Sequence, residues 1–398
     1  MLYREVPKNG DKLSILGYGA MRLPGKGQRI DEELATKQLY AAIDGGINYI
    51  DTAYPYHNGK SEPFLGKALS KDGYREKVKI ATKLPHWSTN SKKDMEEILD
   101  KQLANLQVDC IDYYLIHALD GEGWEKCKQN GVIEFLDGAL ASKKIKNAGF
   151  SFHGAAKDFN TIVDDYDWVF CQIQYNYLDR NNQAGIKGLK YAASKNMAVI
   201  IMEPLRGGNL GIRPPKEIQK IWDKSDNKRS PAEWSFRWLW NQPEVTVVLS
   251  GMNIDEHIEE NIKIASEAEA NSLTEQEVRI LKEAAKTFRK IMKVGCTSCQ
   301  YCMPCSSGVN IPLCFEKYNS YHTFGDKQAK LMYTFMTGGV TTKPGLASQC
   351  TECGECVEKC PQKIPIPDKL KEVKNDMEGY LTKPFIWFMK LMFKVKRK

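Results

Sequence analysis

The sequence has no apolar run long enough to cross a lipid bilayer, which takes about 20 consecutive residues. It also has no Gly-x-Gly-x-x-Gly segment after the first predicted strand, which speaks against a doubly wound dinucleotide-binding sheet. Residues 1–9 are polar and do not resemble a secretory signal, so we expect a cytoplasmic protein. Thiols stay reduced in the cytoplasm, where grouped cysteines bind metal more often than they form disulfides.

Positive charge is scarce outside the C-terminal tail. The net charge is +7, and six of these charges come from an acid-free stretch whose basic residues are Lys383, Lys390, Lys394, Lys396, Arg397 and Lys398. The nearly neutral remainder offers no broad basic face, so we expect no nucleic-acid partner. The tail from Pro384 onward mixes bulky apolar residues with basic ones. That mixture is typical of segments that bind membrane surfaces, and it also fits a tail that packs back onto the protein.

Cysteine usage divides the chain. Nine of the 12 cysteines lie between positions 296 and 360, and the other three are scattered through the first part. A chain of 398 residues that is 42% hydrophobic can bury one large core and a second small one. We therefore predict a first domain over residues 1–294, a cysteine domain over 295–375 and a tail over 376–398.

Over residues 1–270, short apolar runs rich in Ile, Val and Tyr alternate with longer segments of helical spacing. The eight predicted strands are Ser14 to Met21, Asn48 to Thr52, Lys77 to Thr82, Ile111 to Ile116, Ile145 to Ser151, Phe170 to Gln174, Ala198 to Met202 and Val245 to Ser250. The predicted helices between them include Glu32 to Asp44, Lys92 to Leu106 and Gln183 to Lys195. Eight such alternations predict an α/β fold, a closed parallel (β/α)8 TIM barrel, with a doubly wound sheet as the alternative.

The chain after the barrel is predicted to be mainly helical. A long helix over Thr274 to Lys293, capped by Thr274 and Glu277, leads straight into the cysteines. Two further helices are expected, over Cys314 to Tyr321 and Asp326 to Met336, followed by a loop over Thr337 to Pro344.

Polar residues close three successive apolar strands of the predicted barrel. Asp51, Lys83 and His117 occupy these strand ends, and Tyr56 follows in the loop after Asp51. Because the reacting groups of a parallel barrel lie where the strands end, we expect the four side chains to converge. Lys83 would stabilise the phenolate of Tyr56, Asp51 would hold Lys83, and His117 would polarise a carbonyl. This set of groups is suited to carbonyl reduction, with Tyr56 as the proton donor.

The segments that carry these groups are similar to the tetrad motifs of the aldo-keto reductase family. They read Ile50-Asp-Thr-Ala-Tyr-Pro-Tyr with Ser61-Glu62 downstream, Ala81-Thr-Lys, and Leu115-Ile-His. The resemblance continues through Ala148-Gly-Phe-Ser-Phe, Gln172-Ile-Gln-Tyr-Asn, Glu203-Pro-Leu-Arg-Gly-Gly, and Ser250-Gly-Met followed by Glu260-Asn261.

By this resemblance the barrel would use NADPH or NADH on a small carbonyl substrate. The implied cofactor contacts are Ser151, Gln174, Ser250, Gly251 and Asn261, with Gly207 and Gly208 in the loop over the diphosphate. Tyr54 and Trp87 would line the substrate pocket. The choice between the two nicotinamides stays open, because Gly251 and His257 stand where many members carry Lys and Arg for the 2′-phosphate.

Eight of the clustered cysteines form two sets, Cys296, Cys299, Cys302, Cys305 and Cys350, Cys353, Cys356, Cys360. The second set reads Cys-x-x-Cys-x-x-Cys-x-x-x-Cys-Pro and resembles two-cluster ferredoxins. That resemblance implies two [4Fe-4S] clusters, one held by Cys296, Cys299, Cys302 and Cys360 and the other by Cys305, Cys350, Cys353 and Cys356. Zinc is the alternative metal, although it usually takes two Cys-x-x-Cys pairs. We expect packing roles for the remaining cysteines, Cys110, Cys127, Cys171 and Cys314.

Together these features indicate an oxidoreductase that exchanges hydride between a nicotinamide and a carbonyl compound. The clusters would serve electron transfer or docking, with an electron-transfer protein as a possible partner. Because a nicotinamide moves two electrons and a cluster one, exchange between them normally needs a flavin, which a barrel could bind near its last strands. The alternative is a sensor or docking module that binds cofactor without turnover.

Overall fold

The computed structural model describes residues 1–26, 29–323, 325–326, 328–339 and 343–395, with side chains to residue 391. The chain forms two compact units. The first comprises Met1–Leu205 and Ala232–Val278, and the second comprises Arg206–Pro231 and the chain from Arg279 onward.

The first unit contains a closed barrel of eight parallel strands. In chain order they are β1 (Leu16–Gly19), β2 (Tyr49–Asp51), β3 (Lys79–Leu84), β4 (Ile111–Leu119), β5 (Ile145–Phe152), β6 (Phe170–Gln174), β7 (Ala198–Met202) and β8 (Val245–Ser250). Each strand pairs with the next, and β8 closes the barrel on β1, with Val248 opposite Leu16. The predicted (β/α)8 barrel is confirmed.

Two layers of apolar side chains hold the barrel together. Tyr49, Leu115, Phe170 and Val247 belong to the inner core, while a larger cluster fills the space between strands and helices. Gly149 is required for this packing, because a Cβ atom there would lie 2.4 Å from the ring of Phe170. Side chains therefore fill the inside of the barrel. Reacting groups that a substrate can reach lie only at the ends of the strands.

A hairpin of two short antiparallel strands, Tyr3–Glu5 and Lys12–Ser14, precedes the barrel. Its Leu13 belongs to the inner core, and Asp11 accepts a hydrogen bond of 2.8 Å from the hydroxyl of Tyr113. A second pair of short strands, Gly25–Lys26 and Arg29–Ile30, follows β1.

The helices up to residue 270 are Glu32–Asp44, Ser61–Leu69, Lys92–Leu106, Gly121–Gln129, Val132–Ala141, Ala156–Asp164, Gly185–Ser194, Lys216–Trp222, Pro231–Trp240 and Asp255–Glu267. Helix Lys92–Leu106 illustrates why their ends can be predicted. The Ser91 side chain accepts from the Asp94 amide at its start, and Gln107 ends it with a left-handed φ of 55°.

The later helices are Glu275–Ile291, Ile311–Thr323, Ala329–Thr337, Glu355–Glu358, Ile366–Met377 and Thr382–Val395. The predicted cap is present, because Glu277 accepts from the Thr274 amide and Thr274 accepts from the Glu277 amide. Helix Ile311–Thr323 is longer than predicted at both ends. The predicted loop over Thr337 to Pro344 lies partly outside the described residues. No helix among the described residues is long and apolar enough to span a membrane.

Candidate functional site

Three neighbouring strands bring together the acid, the amine and the imidazole that the sequence singled out. Asp51 is the last residue of β2, whereas Lys83 and His117 lie inside β3 and β4 rather than after them. The strands run on because Leu84 is still paired, opposite Ile116. All three functional side chains are buried.

Lys83 is held as an ammonium group by its hydrogen bonds. Its Nζ donates to both carboxylate oxygens of Asp51 at 2.8 Å and to the backbone oxygen of Thr52 at 2.6 Å. Three acceptors require three N–H groups, which only the charged amine has. Burial raises the pKa of Asp51 and lowers that of Lys83, and the attraction between the two opposes both shifts. The pair therefore holds the Lys83 ammonium in a buried site.

Tyr56 begins the short turn Tyr56–Gly59 that follows β2. The Lys83 ammonium lies 5.2 Å from the centroid of its ring, and the His117 ring lies 6.1 Å away, edge on. His57 and Asn58 hold the turn with left-handed φ angles of 52° and 53°, a conformation unfavourable for residues other than glycine. The ring of Tyr56 thus lies beside the side chains of Lys83 and His117.

His117 is surrounded by groups that favour its neutral form. Burial lowers its pKa well below the ordinary value, and the charge of Lys83 lowers it further. The Trp87 ring lies 5.1 Å from the imidazole and is 46% exposed. Trp87 thus forms an apolar wall beside His117 that is open to solvent. A neutral imidazole beside such a wall can donate one N–H to an oxygen on a substrate.

A buried network of hydrogen bonds holds the backbone of Lys83 in place. Nε2 of Gln102 is within hydrogen-bonding distance of the Lys83 backbone oxygen, the Thr82 hydroxyl and the Glu62 carboxylate, at 3.1, 3.2 and 2.6 Å. Its amide oxygen accepts from the Tyr114 hydroxyl at 2.8 Å. The sequence analysis missed Gln102. The available signal was a glutamine on the apolar face of helix Lys92–Leu106.

The expected nicotinamide contacts lie at the ends of the later strands. Ser250 ends β8 and accepts a hydrogen bond of 3.3 Å from the Asn261 amide, and Gly251 follows directly. Ser151 lies in β5, where its hydroxyl accepts from the Ala118 amide at 2.7 Å. Hydrogen bonds thus connect Ser250 with Asn261, and Ser151 with Ala118, the residue that follows His117.

Gln174, at the end of β6, already has protein partners. Its amide nitrogen donates to Asp179 at 3.1 Å, and its oxygen accepts from Asn182 at 3.2 Å. The Tyr54 hydroxyl likewise accepts from Lys101 at 2.8 Å.

Gly207 and Gly208 lie in a short turn that begins at Arg206, with φ angles of 73° and 100°. Such angles favour glycine, whose missing side chain also lets a ligand approach the backbone closely. This turn belongs to the second compact unit, together with the cysteines.

The eight clustered cysteines surround two cavities. Cys296, Cys299, Cys302 and Cys360 line the first, and Cys305, Cys350, Cys353 and Cys356 line the second, which Cys302 also borders. Cys314 is buried in helix Ile311–Thr323, with its sulfur 3.5 Å from the Gly345 oxygen. Cys127 and Cys171 are also buried.

The two Cys-x-x-Cys-x-x-Cys loops share one backbone conformation. Ser298 and Gln300 have φ angles of 57° and 67°, and the equivalent Glu352 and Gly354 have angles of 60° and 84°. Left-handed residues on both sides of the middle cysteine curl each loop around its cavity.

Both loops also direct a backbone amide at the first cysteine. The Ser298 amide lies 3.4 Å from the Cys296 sulfur, and the Glu352 amide lies 3.4 Å from the Cys350 sulfur. Amide donors of this kind stabilise a negatively charged thiolate. The two loops therefore share both the left-handed positions and the amide contact to the first cysteine.

Comparisons with known proteins agree with this architecture. The model of the aldo/keto reductase family matches residues 15–286, and a 4Fe-4S dicluster domain matches residues 295–364. The chain belongs to the aldo/keto reductase family and carries a C-terminal 4Fe-4S domain. It is an oxidoreductase of that family, as the resemblance implied.

Two relatives and one solved structure show how far the similarity extends. The uncharacterized oxidoreductase YqkF of Bacillus subtilis is 25% identical over 69% of this chain and 93% of its own. The aldo-keto reductase yakc [NADP(+)] of Schizosaccharomyces pombe is 24% identical over 68% of this chain and 88% of its own. The holo form of aldo-keto reductase AKR11C1 from Bacillus halodurans matches with a TM-score of 0.60 and 25% identity, over 71% of this chain and 96% of its own.

Proposed function

We propose that this protein is an NAD(P)H-dependent oxidoreductase that transfers hydride to or from a small carbonyl compound, and that it carries two [4Fe-4S] clusters. The observation that carries the catalytic part is the buried Lys83 ammonium, paired with Asp51 and 5.2 Å from the ring of Tyr56. A charge held there stabilises the phenolate that Tyr56 becomes on losing its proton.

Each tetrad residue has one task in the reduction. His117, neutral because it is buried beside Lys83, donates an N–H to the carbonyl oxygen and polarises it. The Tyr56 hydroxyl gives its proton to that oxygen, and Asp51 holds Lys83 in place. In the oxidation direction the Tyr56 phenolate takes the proton back.

The residues at the ends of the later strands suit a nicotinamide cofactor, which supplies or accepts the hydride when bound. Ser250, Asn261 and Ser151 provide hydroxyl and amide groups, and Gly251 follows Ser250 directly. Gln174 keeps one further N–H and one further lone pair beyond its bonds to Asp179 and Asn182, so we retain it as a contact to the nicotinamide. The likeness to a relative named for NADP(+) favours NADPH over NADH.

The cysteine loops suit cubane clusters. Cys296, Cys299, Cys302 and Cys360 would hold one cluster, and Cys305, Cys350, Cys353 and Cys356 the other. Each cluster supplies a one-electron redox centre when bound. Two loops with left-handed residues at equivalent positions, lining two cavities that have Cys302 in common, support two clusters rather than one.

Anaerobic purification tests the proposal. We expect brown protein with about eight irons per chain, and oxidation of NADPH that depends on an added aldehyde, ketone or quinone. Stoichiometric zinc in a colourless protein would reject the clusters. Cofactor binding without turnover across the whole substrate panel would instead support a sensor or docking module. Repeating the assay with added flavin shows whether electrons pass between the nicotinamide and the clusters only through that carrier.

We also propose that helix Thr382–Val395 binds an anionic membrane surface. Trp387, Phe388 and Leu391 are 68%, 51% and 50% exposed, whereas Ile386 is buried and would meet a Cβ added at Gly338. Ile386 thus packs against the domain, whereas Trp387, Phe388 and Leu391 face solvent. Exposed aromatic residues on a basic helix are typical of interfacial binding.

Vesicle co-sedimentation tests this contact. The wild type should sediment with anionic vesicles and less with zwitterionic ones, and the triple variant W387S/F388S/L391S should stay in the supernatant. Equal sedimentation of the wild type and the variant would reject the contact.

A further inference from the structure

Arg206 is a buried cation that the catalytic scheme does not use. Only 6% of the residue is exposed, and it begins the turn that contains Gly207 and Gly208. Its backbone oxygen accepts from the side-chain amide of Asn209 at 2.9 Å, which closes the turn. Arg206 is therefore part of the short turn that the family resemblance places over the cofactor diphosphate.

The other end of Arg206 reaches the first cysteine loop. Its Nη2 donates to the Gly295 oxygen at 3.0 Å, and its Nη1 contacts the Met292 sulfur. Cys296 is the next residue after Gly295. A Cβ atom at position 295 would lie 3.1 Å from Nη2, so glycine permits the close approach.

The segment that receives Arg206 is itself rigidly held. The backbone amide and oxygen of Val294 bond the side chain of Asn319, on helix Ile311–Thr323, at 3.0 and 2.7 Å. Arg206, the Gly207–Gly208 turn and the first cysteine loop all lie in the second compact unit. A displacement or a change in electric field at either end of Arg206 would therefore be felt at the other end.

We infer that Arg206 couples nucleotide binding at the Gly207–Gly208 turn to the redox state of the cluster held by Cys296, Cys299, Cys302 and Cys360. This inference rests on the proposed function, since it needs both the cofactor and that cluster. The positive charge of Arg206 would attract two anionic groups, the cofactor diphosphate and the cluster with its thiolates. Reduction adds one electron to the cluster and strengthens its hold on the guanidinium, which leaves less of the charge for the diphosphate.

The sign of the coupling follows. NADPH should bind more weakly to reduced protein than to oxidised protein, and bound nucleotide should lower the reduction potential of the cluster by the equivalent amount. Couplings of this kind are commonly about five-fold or more in affinity. Reduction of the cluster would thus favour release of the nucleotide.

The test compares the Kd of NADPH for full-length protein in two redox states, oxidised and dithionite-reduced, under anaerobic conditions by tryptophan fluorescence. The reduction potentials are followed separately by electron paramagnetic resonance, with and without NADPH. In wild type we expect a Kd about five-fold or more higher in the reduced state. In Arg206→Gln the ratio should fall toward one, and the potential should fall because a positive charge beside the cluster is lost.

Two further variants keep the test decisive. Arg206→Lys retains the charge and should keep the cluster potential near the wild-type value, even if Arg206→Gln loses iron. Arg213→Gln removes an exposed arginine from the same segment and should change neither quantity. A wild-type Kd ratio of one, in protein that holds eight irons and binds NADPH, would overturn the coupling alone. Missing iron or missing NADPH binding would overturn the proposed function together with it.

Discussion

The barrel site and the cysteine loops assemble their chemistry in opposite ways. Asp51, Lys83 and His117 come from three strands and meet in a buried site, where each charge needs a partner. The cysteines come mostly from two short loops whose own backbone supplies the curvature and the amide donors, and Cys353 is exposed. The barrel site therefore depends on long-range packing, whereas each loop is largely a property of its own few residues.

Removing the buried Lys83 ammonium should have the largest effect on activity and stability. It should show how strongly the barrel site depends on the Lys83–Asp51 ion pair. Lys83→Met leaves the Asp51 carboxylate without its partner in the core. We expect loss of carbonyl reduction and a fall of about 3–5 kcal/mol in the free energy of unfolding. Denaturant unfolding followed by tryptophan fluorescence measures the second effect. The double variant K83M/D51N should recover part of the stability and none of the activity.

Tyr56→Phe should slow the chemical step at the same site and leave the binding of NADPH unchanged. In the proposed reduction the half-exposed phenol supplies a proton, so its loss should lower kcat by about 10²-fold or more while the Kd of NADPH stays unchanged. Stopped-flow reduction and nucleotide titration give the two quantities. Undiminished turnover would show that Tyr56 is not the proton donor.

Cys353→Ser should act on one loop and leave the barrel untouched. We expect about half of the iron to be lost, because only the second cavity loses a ligand. Cys314→Ala, at a cysteine buried in a helix of the same domain, should keep all of the iron. If Cys353→Ser also lowered carbonyl reduction several-fold, the two sites would be less independent than their construction indicates.

The pH dependence of stability should report the buried imidazoles of the barrel, since burial lowers the pKa of His117, His153 and His86. The folded-state pKa of His117 lies well below its unfolded value of about 6.5, so the unfolded chain binds more protons below that pH. The free energy of unfolding should thus fall as the pH drops below about 6.5. His117→Gln should reduce the slope and leave the part that His153 and His86 contribute. Identical slopes in the wild type and in His117→Gln would contradict the neutral, buried state of His117.

The smallest effect compares the two loops with each other. Gln300 and Gly354 occupy equivalent left-handed positions, and a side chain there costs about 1 kcal/mol. Gln300→Gly should slow iron release to a chelator, and Gly354→Ala should speed it by a similar factor. Nothing lies within 4 Å of a Cβ atom at 354, so the cost comes from the backbone alone. Equal release rates would show that loop strain does not control cluster retention.

Sequence patterns were sufficient wherever the controlling interactions are local. Helices Glu32–Asp44 and Lys92–Leu106 begin and end where predicted, because Asp31 and Ser91 cap them and the apolar spacing is regular. Lys83 and His117 were placed after their strands and lie inside them. Strand length depends on the neighbouring strand, and Leu84 remains paired opposite Ile116.

By itself the sequence determined the barrel, the tetrad candidates and the cysteine spacing, since periodicity, strand-end polarity and short-range spacing are all written along the chain. Only the tertiary structure decided which distant side chains hold these groups in place by hydrogen bonds. Gln102 reaches the Lys83 backbone from a helix, and Arg206 reaches Gly295 across 89 positions of sequence. Contacts of this kind leave no local pattern, because a buried polar group is satisfied by whichever partner the fold brings within about 3 Å.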